Sequence, residues 1–457
     1  MSSYRIWKVA IAGEVMASRP FSMHGEPEFL GILKLLRESD VTYTHLETNL
    51  GEIEEIDWAA KGEYTGSFFM CDPKIADDLK WAGVDIVSNA CNHSGDFGPS
   101  GVLSTRRQCK RAGLVCAGTG RDLEEAREPG YLETNKGRVA LVSMTSGNRS
   151  EDWASLPKGG TRGRPGVNPQ RVSMRFVVDH DAARQLKEVG KKLNILRTKA
   201  KSLGGLGFEE EEFGLSGVQS GGASNIFIEG DKFEVTSTAH KKDLERNCRS
   251  LDEAMQMADL VMVAHHCNLS EGPRGDYPPK FMPVVAKACI DAGADIYIGH
   301  GWHKTLGIEI YKNKPIFYGI GDFFAQNEFL RNVPYDAYEA WGHDVDRLPT
   351  LNAATYPLHP GGPESTETWW SSAVVVLDME DHKLTGMKLY PVEMGREVSP
   401  EVKITRRTGS GPHPFTDGRP LMADRENGDR ILSRIKRLSA TYGTNIEIKD
   451  GIGVLRL

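Results

Sequence analysis

No stretch of this chain approaches the roughly 18–20 consecutive apolar residues that a helix needs to span a bilayer. Its first segment, Met1–Lys8, lacks the apolar run of a secretory signal, and Val9–Ala12 is only strand-length before it stops at Gly13-Glu14. There is no CxxC pair: the seven cysteines (71, 91, 109, 116, 248, 267, 289) are an odd, scattered set, several in apolar contexts such as Ala-Lys-Ala-Cys289-Ile. That spacing excludes a thiolate zinc cluster and reads as reduced thiols of a cytoplasmic protein with no membrane partner. Basic runs of five or more residues are also missing, and 56 Lys+Arg against 63 Asp+Glu leave a net charge of −7. A polyanion wants a concentrated basic surface, so a nucleic-acid partner is disfavoured. What remains is 39% hydrophobic and 26% charged, the balance of a folded globular chain. Its 457 residues allow one elaborated domain or two to three ordinary ones.

Residues 1–145 alternate short β-rich runs with helical patterns: strands at 9–12, 41–45, 84–88 and 139–144, helices at 28–37, 74–82 and 98–112. This alternation predicts βαβ units and a layered α/β architecture. A second such block, 251–325, holds strands at 259–264 and 294–298, a helix at 280–291 and a hairpin over 308–318. Between them, 146–250 reads as an irregular insertion, a lid or interface, with a Gly/Arg/Pro-rich piece and a helix expected from Asp181 to Ser202. Residues 326–370 form a second irregular insertion, and strands near 372–377 and 387–390 with a helix at 429–442 complete the domain over 371–457. Loops this long in a compact protein are functional covers or interfaces more often than plain connections.

The chemistry lies at the strand ends. Glu14 follows the first strand, His45-Leu46-Glu47 ends the second, and Asn92-His93 follows the third. His265-His266 and His300-Gly-Trp302-His303 end two strands of the second block. Ligands of open α/β sheets bind beyond the carboxyl ends of the strands, so these residues converge on one crevice. Carboxylate with imidazole and no sulfur suits Mn, Zn or Fe, and the number of ligands accommodates one or two divalent ions. Each residue alone has a plainer reading: Glu14 or Glu47 as a surface or capping carboxylate, Asn92-His93 as a helix cap, His300 and His303 as loop histidines. Adjacent residues on a strand face opposite ways, so His265 and His266 cannot both enter one site.

In this order and at these intervals the motifs resemble the CapA family of poly-γ-glutamate capsule synthesis proteins, whose fold is similar to that of calcineurin-like metallophosphoesterases. The resemblance covers most of 6–145 and 250–325. Gly13-Glu14 stands where the family has Gly-Asp, His45-Leu46-Glu47 where it has Asn-Leu-Glu, and Asn92-His93-Ser-Gly-Asp96-Phe-Gly98 matches closely. His-Trp-Gly becomes His266-Cys267-Asn268, and Gly-His-His-Pro-His becomes Gly299-His300-Gly301-Trp302-His303. Leu-Gly-Asn-Phe becomes Ile320-Gly321-Asp322-Phe323. Every departure lies in or beside the expected pocket.

The resemblance implies an α/β/β/α metallo-domain with two large insertions. In it Glu14, Glu47, Asn92, His266, His300 and His303 hold the metal, and His45, His265, Asp322 and Trp302 form the surrounding shell or touch substrate. His93 is the implied general acid, with Asp96 either orienting it or capping the next helix. The activity implied is a metal-dependent hydrolase that turns a metal-activated water on a small or polymeric acidic substrate, a phosphoester or an amide or ester. The alternative is a non-catalytic accessory protein of poly-γ-glutamate or capsule-type synthesis with a structural metal. A homo-oligomer is compatible with either. Arg162, Arg164 and Arg171, and the aromatic residues Trp341, His343, Trp369 and Trp370, are the candidates for specificity; solvated arginines and core tryptophans are the plainer readings.

Overall fold

The computed structural model describes residues 6–57, 68–198, 211–216, 224–271, 275–326, 334–335, 366–394 and 418–456. They form a mixed α/β protein in which two large sheets carry the core. The first sheet runs in the order 447–449, 452–456, 383–393, 371–380, 6–16, 41–46, 86–88, 115–117, with 322–325 also on 6–16 and 421–422 on 383–393. Strands 6–16, 41–46, 86–88 and 115–117 are parallel, while 371–380 meets 6–16 antiparallel. The second sheet runs 308–311, 314–317, 296–300, 260–267, 137–146, 130–134, its four inner strands parallel.

Pleat parity explains how apolar runs of such different lengths assemble. Val9 and Ile11 face the second sheet, packing with Leu141, Met262 and Ile298, whereas Ala10 and Ala12 face helices Pro27–Arg37 and Lys74–Ala82. On strand Leu260–Cys267, Met262 and Ala264 face the first sheet, and Val261 and Val263 face helices Lys241–Met257 and Phe281–Asp291. Strands buried on both faces read as continuous hydrophobic runs, which is how 9–12 and 260–264 appear in the sequence. The C-terminal helix Arg425–Ala440 adds Ile431, Leu432 and Ile435 to the core between the sheets.

The expected irregular insertion contains a third sheet, ordered 196–198, 212–216, 224–229, 172–178, 234–239. Its helix runs His180–Lys192, started by the Asp179 side chain on the Ala182 amide, and the chain turns at Asn194 with φ 57° before strand Leu196–Thr198. The expectation of a helix to Ser202 fails because an asparagine in left-handed backbone terminates a helix as glycine does. Among the described residues the sheet's buried hydrophobic core is Val178, Ala183, Leu196 and Phe213, too small to impose a clean alternation on the sequence. Of the second expected insertion, 327–333 and 336–365 lie outside the described residues.

Register then delivers the site. Glu14 pairs with His45, His45 with Ser88, and Glu14 also with Asp322, so four strand ends of the first sheet align in one row. In the second sheet His266 pairs with His300. Gly13 makes the close approach possible: a Cβ there would lie 2.3 Å from the Gly321 carbonyl oxygen, and the Glu14 amide donates to that same oxygen at 2.9 Å. Gly13→Ala should therefore cost about 2–3 kcal/mol as backbone overpacking, measured from the urea midpoint. Gly25→Ala, which meets nothing within 4 Å, should stay within about 0.5 kcal/mol.

Candidate metal centre

The two sheets bring their polar strand ends together in a space that excludes water. Glu14, His45, Glu47, His266 and His300 are each at most 1% exposed. Glu14, His45, Glu47 and His266 each present one ligand atom within 4.8 Å of the others, and Glu14 forms a second such group with His303 and Asp322.

Each carboxylate is positioned by backbone and left incomplete. Glu14 Oε1 accepts the Gly301 amide at 2.9 Å, and its Oε2 has no hydrogen-bond partner. Gly301, where the family pattern has histidine, adopts φ 98° and would drive a Cβ into the Cys267 backbone at 2.6 Å. Glycine is what allows its amide to reach the carboxylate. The Glu47 amide is tied to the Val15 carbonyl, yet neither of its carboxylate oxygens has a partner. Burial pushes both carboxyls up, Glu47 further because Glu14 stands beside it.

The imidazoles are aimed by their outer nitrogens. His266 Nε2 lies 2.7 Å from Asn92 Oδ1, an acceptor, so this nitrogen carries the proton and Nδ1 is bare. That Nδ1 has no partner and sits 3.7 Å from Glu14 Oε2. His303 Nδ1 is 2.9 Å from Asp322 Oδ1, its ring packs on Trp369 with centroids 4.4 Å apart, and its backbone is left-handed at φ 52°. His45 Nδ1 meets Ser88 Oγ at 2.7 Å while its Nε2 has no partner. Burial holds His45 down at about 3 and lowers His266 and His300 well below the usual range. All three are therefore uncharged at neutral pH, the form that binds metals.

His93 and Asp96 lie at the edge of this cluster. His93 Nδ1 meets Asp96 Oδ2 at 2.8 Å, and the same oxygen accepts the Phe69 amide at 3.0 Å. Helix Gly98–Arg111 has no side-chain cap at its start. A cavity of about 110 Å³ opens beside them, lined by Asn92, Asp96, Asn148, Arg149, Asp152 and Asn268 among others.

Other expected residues fall elsewhere. His265 shares the parity of Val261 and Val263 and points away from the cluster, its nitrogens taken by Ser146 Oγ at 2.9 Å and Tyr297 OH at 2.6 Å. Trp302 packs in the same helix-facing core. Arg171 is bound by Asp243 at 2.6 Å, Arg164 by the Trp153 and Ser150 carbonyls, and Arg162 is exposed. Trp341 and His343 lie outside the described residues. Sequence reading missed Tyr43 and Ser88, which touch His300 and His45. The available signal for Tyr43 was its two-residue spacing from His45 on one strand, which puts both side chains on one face.

His265 yields a pH test free of the ligand cluster. Burial holds it at about 3 in the folded protein, against about 6.5 when unfolded. Below 6.5 the unfolded chain takes up a proton that the folded chain refuses, so stability falls as pH drops from 6.5 towards 3. Between pH 5.5 and 4.5, His265→Gln should flatten the slope of unfolding free energy against pH by about 1.4 kcal/mol per unit.

Residues 8–327 match the bacterial capsule synthesis protein family PGA_cap. An uncharacterized protein of Sinorhizobium fredii is 32% identical over 453 residues, covering 97% of this chain and 92% of its own. The capsule biosynthesis protein CapA of Bacillus anthracis is 24% identical over 254 residues, 55% of this chain and 43% of that one. A Mycobacterium tuberculosis protein named "Probable polyglutamine synthesis accessory protein" is 25% identical over 294 residues, 62% of this chain and 55% of that one. The chain belongs to the bacterial capsule synthesis protein family PGA_cap.

Proposed function

We propose that this chain is a metal-dependent hydrolase with calcineurin-like α/β/β/α layering, acting on a small or polymeric acidic substrate at a phosphoester, amide or ester bond. The observation that carries the reading is the set of buried ligand atoms without hydrogen-bond partners: Glu14 Oε2, both oxygens of Glu47, His45 Nε2 and His266 Nδ1. Leaving even one buried polar atom unsatisfied costs about 1–3 kcal/mol. The spacing of 3.7 Å from His266 Nδ1 to Glu14 Oε2 is too long for a hydrogen bond. It is close to the ~3.4 Å between two ligands each ~2.1 Å from one ion.

The donor set fits one or two of Mn²⁺, Zn²⁺ or Fe²⁺, and Glu14, common to both groups, is the natural shared ligand. Such an ion supplies Lewis acidity and a water acidic enough to lose its proton near neutrality. The remaining work belongs to the chain. Asp96 fixes His93 Nδ1, which leaves Nε2 as the atom that gives a proton to the departing group. Arg149, in the cavity beside Asn92, would meet the negative charge of the substrate. Insertion 146–250 would cover or enlarge this entrance. The layering is supported by the three apolar cores, one between the sheets and one under each helical layer.

The accessory reading is favoured by the name of the mycobacterial relative. Turnover on bis-p-nitrophenyl phosphate, a phosphomonoester, an ester and a γ-glutamyl amide separates the two. Metal-loaded protein that turns over none of them supports the accessory role, and protein that retains no ion after reloading sinks the hydrolase. His303→Ala should lower metal content with an unchanged circular dichroism spectrum. Glu47→Gln makes a prediction of two signs: the metal-free variant should melt above the metal-free wild type, because an unpaired buried carboxylate is gone. It should also lose most of the rise in Tm that added metal gives the wild type.

A further inference from the structure

His45 and His300 are joined by a chain of hydrogen bonds that no part of the proposed reaction uses. His45 Nδ1 meets Ser88 Oγ at 2.7 Å, Ser88 Oγ meets Tyr43 OH at 2.6 Å, and Tyr43 OH meets His300 Nε2 at 2.9 Å. All four residues are wholly buried. The two rings lie stacked, centroids 4.6 Å apart, and the far nitrogen of each, His45 Nε2 and His300 Nδ1, has no hydrogen-bond partner.

Counting protons decides what this chain permits. Three hydrogen bonds need three protons, and the two hydroxyls supply two, so one imidazole donates and the other accepts. Both rings are uncharged, since two stacked cations without water would repel at full strength. If His45 donates from Nδ1, Ser88 donates to Tyr43, Tyr43 donates to His300 Nε2, and His300 carries its proton on Nδ1. If His300 donates from Nε2, every bond reverses and His45 carries its proton on Nε2. Passing between the two forms moves one proton along each of the three bonds. His45 releases its Nε2 proton and His300 takes one up at Nδ1, so the charge of the set is unchanged.

We propose that Ser88 and Tyr43 are positioning residues that lock His45 and His300 into one shared tautomer, so that only one of the two inward nitrogens can offer a lone pair to a cation, and that this one is His45 Nε2. The choice follows from place: His45 has a ligand atom within 4.8 Å of those of Glu14, Glu47 and His266, and His300 belongs to neither ligand group. Residue 45 is where the family pattern has asparagine, so this chain would have gained an imidazole ligand there and turned His300 into the outer end of a relay. The assignment of His45 as ligand rests on the metal reading; the shared tautomer does not.

Nitrogen NMR of ¹⁵N-histidine-labelled protein at pH 7.5 tests it, the two rings being assigned by their loss in His45→Gln and His300→Gln. In metal-free wild type both rings should show the same tautomer, and after Zn²⁺ loading both should be Nδ1-protonated. Tyr43→Phe and Ser88→Ala should uncouple the rings and weaken Zn²⁺ binding 10- to 100-fold, the usual effect of losing a group that orients a metal ligand. Ser88→Thr, which keeps the hydroxyl, should restore both. His45→Gln should lose Zn²⁺ affinity and His300→Gln should keep most of it. Opposite tautomers in the wild type overturn the relay, and Zn²⁺ affinity lost in His300→Gln but kept in His45→Gln overturns the ligand assignment. A wild type that binds no Zn²⁺ yet shows matched tautomers, uncoupled by Tyr43→Phe, upholds the relay and removes the hydrolase reading.

Discussion

Two carboxylates sealed beneath an apolar sandwich, with three of their four oxygens unpartnered, are the constraint that the surrounding structure answers to. Burying a charge without a partner is among the most costly things a fold can do. The protein tolerates it because stability is generated elsewhere, in three apolar cores on either side of the sheets. The incomplete shell around Glu14 and Glu47 is then available to whatever completes it. Backbone does the holding: the Gly301 amide fixes one oxygen of Glu14, and the Val15 carbonyl fixes the Glu47 main chain. Side-chain oxygens are thereby left aimed inward without a neighbour that would compete for them.

Much of this was legible in the sequence, for reasons particular to each part. Strands buried on both faces leave unbroken apolar runs, and 9–12 and 260–264 are of that kind, so their existence could be read directly, whereas the strands extend to Ile6–Met16 and Leu260–Cys267. Polar residues just past such runs stand out, which is how Glu14, Glu47 and His266 were found. Parity on strand 260–267 required that His265 and His266 part company, and it is His266 that shares a face with Ala264. The five-stranded sheet over 172–239 could not be seen, because the four buried hydrophobics among its described residues impose no clear pattern on its strands. Nor could the contact of Asp322 with His303, since it depends on strand 322–325 pairing beside Glu14 across some 300 residues of chain.

The departures from the family pattern read differently once register is known. Gly301 is not a vacancy left by a lost histidine: its left-handed backbone and its contact with Cys267 leave no room for a Cβ, and its amide serves Glu14. His45 sits opposite Glu14 on the neighbouring strand, where an imidazole reaches further into the cluster than the shorter amide of asparagine. One change takes a ring out of the loop and the other puts a ring into the sheet. Both lie beside Glu14, one through its amide and the other through its ring.

Formal charge links this cluster to the kind of substrate it suits. The two ligand groups contain three carboxylates, Glu14, Glu47 and Asp322, and burial keeps two of their imidazoles, His45 and His266, uncharged. Against the three carboxylates alone, one divalent cation would leave a net charge of −1 and two would leave +1, the sign that attracts the acidic substrate proposed above. The placement of Glu14 in both groups is what makes room for the second ion without a fourth carboxylate. On the proposed reading an acidic substrate and a two-ion centre stand or fall together, and Arg149 at the neighbouring cavity would add charge of the same sign as the filled centre.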